Sequence, residues 1–350
     1  MRSLICCLVL FVVGCPQTQD PSVDRLIESS DSNAVAASEI ISEAIGAGLQ
    51  GDARTALARL HTIDPSDLNQ REREYLSCML QRFDTSGVVD DPQMEHESLA
   101  ARVIEAYTRY WRSALLEPEN RQAHTQELER RLRTIIGLSP ESDTVQIENT
   151  LREALRADGL YTLLGQTGVL RELMIWRQED RQSITVEMPH GVYTTRVAFL
   201  DNFLIAGWGR FATCDARGAG GWVADRTLFA VVPAYDDLES EEFKVTFLAH
   251  ETQHYLDLEA YADITPWELE YRAKLIELAM ADETQPRVLQ KFIEDQGNDP
   301  ASPHSYANKR LLRQLQEQLP VSEIHDVRSA DPQSDSQYGL RFVYSRFSAT

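Results

Sequence analysis

The chain has 350 residues, of which 43% are hydrophobic and 25% charged, and its formal net charge is −21. That length leaves room for about two domains and a sizeable core, with the composition of an ordinary soluble globular protein. The acidic balance argues against a nucleic-acid partner, which asks for a basic stripe, and against charge-driven contact with an anionic lipid surface; a well-solvated exterior accounts for it.

In chain order, Arg2 supplies a short positive region and "LICCLVLFVV" an apolar run too short to span a membrane. The run ends in "VVGC", Val12 to Cys15, which resembles the lipobox of bacterial lipoproteins. The resemblance implies removal of residues 1–14, acylation of Cys15, and residues 15–34 as a polar tether to a cell-envelope membrane. Export follows from an ordinary signal peptide as well. Cys78 and Cys214 then remain in the folded part. An oxidising compartment permits a disulfide between them, while the apolar "YLSCML" around Cys78 suits a buried free thiol equally.

A helical period runs from about Asn33 to Asp158. Two short helices are expected before Asp64-Pro65, broken at Gly51, and an amphipathic pair over "LAARVIEAYTRYWRSALLEPENRQAHTQELERRLRTIIGL". The first pair resembles half a tetratricopeptide repeat, but no second copy follows. His61, His96 and His124 are read as surface or structural residues. After Trp176 the period changes: "SITVEM", "YTTRVAFL" and "LFAVVP" read as strands. The glycine-rich "ARGAGGWVADR" reads as a loop between strands, where backbones approach closely. Helical periodicity returns after Tyr235. The expected class is α+β, with helices over 35–170, a second domain over 171–320 and a tail over 321–350.

The second domain carries the chemistry. His250 and His254 are four apart, so a helix presents both imidazoles on one face. Glu251 follows the first histidine, which completes the H-E-x-x-H arrangement of zinc metallopeptidases. Asp257 and Ala260 stand where a metzincin needs glycine and a third ligand, so that type is excluded. What remains resembles the gluzincins, in which a glutamate of the following helix completes the site. "TPWE", Thr265 to Glu268, reads as a capping box that occupies Glu268 structurally. Glu270, three residues before Ala273, matches the gluzincin E-x-x-A pattern; Glu268 and Glu277 stay as alternative ligands, and Glu277, two turns along the same face, also as a support for one. Asp257 is placed either to orient an imidazole or as a solvated carboxylate.

The resemblance implies a small, mostly antiparallel zincin-like sheet with active-site helices, and a zinc ion held by His250, His254 and Glu270. It also implies Glu251 as general base and a peptide or protein as substrate. It further calls for a His or Tyr from a later segment to bind the developing oxyanion. His304 is the first candidate, with Tyr271 and His325 as alternatives. A different class competes: a lipoprotein binding or scaffold module with a structural or vestigial zinc site.

Overall fold

The computed structural model describes residues 31–83 and 98–318. Cys15, His96, His325, the expected signal peptide and the expected tail lie outside these residues. The class is α+β, with the N-terminal part helical. The described chain divides into two compact units, one holding residues 31–179 and 200–219, the other 180–199 and 220–318.

The first unit opens with six helices: α1 (Asp31–Leu49), α2 (Ala53–Leu60), α3 (Gln70–Phe83), α4 (Leu99–Leu116), α5 (Arg121–Ile136) and α6 (Thr144–Ala157). α1 begins inside the expected tether. Local signals set the boundaries. Gly51, at φ +80°, makes the left-handed turn after α1. Asp52 caps α2 through the Thr55 amide at 2.9 Å, and Asp143 with Gln146 forms a capping box on α6. Trp111, Tyr107, Leu115 and Leu151 are among the largest fully buried side chains of this unit's core.

Strands arrive earlier than the sequence suggests. β1 (Tyr161–Thr167) pairs antiparallel with the first half of β2 (Leu170–Met188). Leu173, Met174, Ile175 and Trp176 are all buried. A strand covered on both faces loses the alternation that marks it in a sequence. Buried Glu172 accepts from Thr167 Oγ1 at 2.7 Å and from the Trp208 amide at 3.0 Å, at the head of the short α7 (Trp208–Ala212). The open question of the cysteines is resolved: Cys78 and Cys214 form a disulfide.

The remaining strands are β3 (Gly191–Ala206), β4 (Gly221–Ala224) and β5 (Thr227–Val231), and the sheet order is β1-β2-β3-β5-β4. The stretch read as a glycine-rich loop thus contains a strand. Asp225 and Arg226, at φ +46° and +59°, form the tight turn that pairs β4 antiparallel with β5. "LFAVV" is therefore an inner strand, and β4 is the edge. Gly221 has no side chain because a Cβ would collide with Phe229 O and the Phe247 ring.

The second unit continues with a π-helical turn, Phe243–Ala249, running directly into α8 (His250–Ala260), then α9 (Pro266–Met280), α10 (Gln285–Glu294) and α11 (Pro303–Gln318). Phe243, Phe247, Leu228 and Val197 share one core. Val245, Leu278, Phe292 and Leu311 share another beneath α9.

Candidate metal centre

α8 opens on His250, and its first two turns are almost wholly buried, polar residues included. Burial of so many polar side chains costs several kcal/mol unless partners compensate, so the contacts of each decide what the helix is for. His250 and His254, one turn apart, bring their rings to 4.6 Å at 84°. α9 packs against α8 and delivers Glu270, whose Oε1 lies 3.3 Å from His254 Nε2 and whose Oε2 lies 3.7 Å from His250 Nε2. One ligand atom from each of His250, His254 and Glu270 can be chosen so that all lie within 4.8 Å of one another. This buried group could hold a metal ion.

The surroundings suit such an ion. His250 Nδ1 donates to Glu277 Oε1. A carboxylate only accepts, so the proton of a neutral His250 sits on Nδ1 and the lone pair of Nε2 faces Glu270. Burial above all pulls the His250 pKa down to about 3, which keeps the ring neutral, as ligation requires. For His254 burial works the same way but is outweighed by Glu270, Glu251 and Asp257, which raise its pKa. The field at the centre therefore favours positive charge.

Glu251 is fully buried, and neither carboxylate oxygen has a hydrogen-bond partner. Burial pushes its pKa up to about 8, with Glu270 and Glu277 adding to the rise and His254 opposing it. A cation held by the triad would act with His254.

The other expected residues are accounted for. Glu268 accepts from the Thr265 amide at 2.9 Å and so belongs to the helix cap. Glu277 supports His250. Asp257 accepts from Gln253 Nε2 at 2.9 Å and Arg272 Nε at 2.8 Å, so its partners are these two side chains. His304, at the head of α11, places Nδ1 2.8 Å from Glu270 Oε2. Any bond from His304 to a substrate would have to come from Nε2. Tyr271 is turned to Gln314 on α11. No spacing rule singles out Tyr235, whose buried hydroxyl feels the charge of Glu251; its relation to α8 passes through a turn and a ring contact.

Comparison with protein-family models, curated proteins and solved structures finds no match to this chain.

Proposed function

We propose that the chain is a zinc-dependent hydrolase, and specifically a peptidase of gluzincin type. The observation that carries this reading is Glu251: a wholly buried carboxylate without a hydrogen-bond partner, next in sequence to His250 and in the field of His254 and Glu270. A purely structural metal site has no use for such a group, whereas hydrolysis needs a base there. Two imidazoles and one carboxylate are a donor set that suits zinc and leaves a fourth position for water or substrate. The order of β4, β5, α8 and α9 supports a zincin-like domain, with β4 as its edge strand.

When bound, zinc would lower the pKa of water to about 7 and polarise a carbonyl. The chain's own residues do the rest. Glu251 takes the proton of the attacking water and returns it to the leaving amine. Glu277 fixes the His250 tautomer, and His304 holds one oxygen of Glu270. The resemblance of "VVGC" to a lipobox supports export and anchoring through Cys15, and the disulfide suits an oxidising compartment.

A binding module with a structural metal site has one observation in its favour, the near-complete burial of all three ligands. Glu251→Gln separates the two readings. It keeps size and polarity but removes basicity, so zinc should stay while hydrolysis of a peptide library falls by about 10²–10⁴-fold. Hydrolysis undiminished in that variant, or none at all by zinc-loaded wild type, would sink the peptidase reading.

A further inference from the structure

Outside the triad and Glu251, four buried polar groups among the described residues of the same unit lack a hydrogen-bond partner: Thr252 Oγ1, Gln253 Oε1, Asn308 Oδ1 and the hydroxyl of Tyr235, the one of the four on an aromatic ring packed against the turn that leads into α8. Tyr235 follows β5 after a short 3₁₀ turn, Val232–Ala234, closed by the Tyr235 amide on Val232 O at 3.1 Å. Its ring rests on Phe243 at 4.9 Å and on Phe247 at 5.8 Å. Both belong to the π-helical turn, and Phe247 stands four residues before Glu251. The aromatic body is thus accounted for as packing. The hydroxyl is not: its oxygen is buried and has no hydrogen-bond partner.

A buried hydroxyl left without a partner destabilises the fold where phenylalanine would not, so its presence needs a reason. Among neighbouring charges Glu251 acts on it most strongly, then Glu242 and Glu277. Burial first, and these carboxylates next, hold its pKa well above 10, so the group stays a proton donor. The Tyr235 ring packs on Phe247, one turn before Glu251, so a buried donor and the two buried acceptor oxygens of Glu251 belong to the same part of the unit, and none is bonded to a protein group. Complementary groups held apart in this way suit a small polar guest that bonds both.

On the reading of the centre as a hydrolase, we propose that Tyr235 is a catalytic residue whose hydroxyl donates a hydrogen bond to the substrate oxygen that gains negative charge. Water oxygen bonds to the scissile carbonyl carbon, the π pair moves onto the carbonyl oxygen, and the water proton goes to Glu251. The C–N bond then breaks, and that proton leaves with the amine. Tyr235 keeps its own proton throughout. It stabilises the charged oxygen as a fixed dipole, at no cost in reorganisation.

Tyr235→Phe tests this with activity and with two other readouts. The metal-free variant should unfold at the same temperature as wild type or higher, because the substitution removes an unpaired hydroxyl. Zinc content should be unchanged. On one peptide taken from the cleaved members of a library, kcat should fall by about 10²–10³-fold, as on losing an oxyanion donor, with KM within about threefold. A phosphinic analogue of that peptide, whose anionic oxygen stands in for the charged one, should bind more weakly by a similar factor in calorimetry. A kcat within about threefold of wild type would overturn the proposal and leave the peptidase reading standing. So would a fall in unfolding temperature with loss of zinc, which marks a structural role. Zinc-loaded wild type that cleaves no peptide would overturn both.

Discussion

Glu270 and Glu277 lie two turns apart on one face of α9, so both reach the buried side where α8 packs. Glu268 sits in the first turn and is spent on the Thr265 amide. The three carboxylates therefore predict three outcomes in a zinc titration. Glu270→Ala, like His250→Ala and His254→Ala, should lose the metal, because the site cannot spare a protein ligand. Glu277→Gln should keep it with an affinity lower by about 10–100-fold, the usual result of loosening a ligand's hydrogen-bond partner. Glu268→Ala should keep it fully and cost about 1 kcal/mol of stability in denaturant unfolding. Loss of zinc in Glu268→Ala with retention in Glu270→Ala would reverse the assignment. Much at this scale was legible from local spacing: the two histidines, the glutamate between them and the capping box are all contained within one or two turns. Two roles were not. Seven-residue spacing puts Glu277 on the right face but cannot say that it meets an imidazole rather than an ion. Tyr235 meets the π-helical turn before α8 through ring contacts with Phe243 and Phe247, which leaves no period to read.

Among the elements, the strands show where pattern reading fails. "SITVEM" and "YTTRVAFL" alternate and were readable; β1 and the first half of β2 are packed on both sides or short of alternation, and merged into the helical stretch before them. The β4–β5 turn escaped notice because two non-glycine residues, Asp225 and Arg226, adopt positive φ. The π-helical turn before His250 leaves no mark in composition, since its residues are ordinary helix-core types. The foot of that turn carries a testable cap. Glu241 accepts from the amides of Asp282 at 2.8 Å, Glu283 at 3.1 Å and Thr284 at 2.9 Å, just before α10. Burial would raise its pKa, but the bonds from Thr284, Asp282 and Glu283 outweigh it, and the folded value lies below 4.5. The stabilisation is then fully present above the unfolded value, near 4.5, and is lost as pH falls through the lower folded one. Glu241→Ala should cost about 1–2 kcal/mol at pH 7, toward the lower end because solvent reaches the carboxylate. The gap from wild type in urea unfolding should close as the pH is taken below the folded pKa. A gap that stayed constant with pH would show that the bonds do not depend on the charge.

For the whole molecule, the chain path rather than any single contact sets what holds. Residues 200–219 belong to the helical unit, although 180–199, just before them, and 220–318, just after, belong to the other. Excursions of this kind cannot be read from a sequence, because each piece is locally unremarkable and the assignment rests on distant contacts. Within the helical unit the returning segment is fastened by Cys78–Cys214, 136 residues apart, and by Arg82, whose Nη1 donates to Phe211 O at 2.7 Å. Closing so long a loop restricts the unfolded chain, which stabilises the folded one by about 2–4 kcal/mol. The paired substitution Cys78→Ser, Cys214→Ser should therefore lower the unfolding temperature and make the 213–219 segment more open to proteolysis, as should a reducing agent on wild type. His250, His254 and Glu270 all belong to the other unit, so zinc content and the affinity for the phosphinic peptide should stay at wild-type levels below the unfolding transition. Equal unfolding temperatures for reduced and oxidised protein would mean that Arg82 and the core packing suffice to hold the segment. Loss of zinc on reduction would mean that the two units do not fold independently.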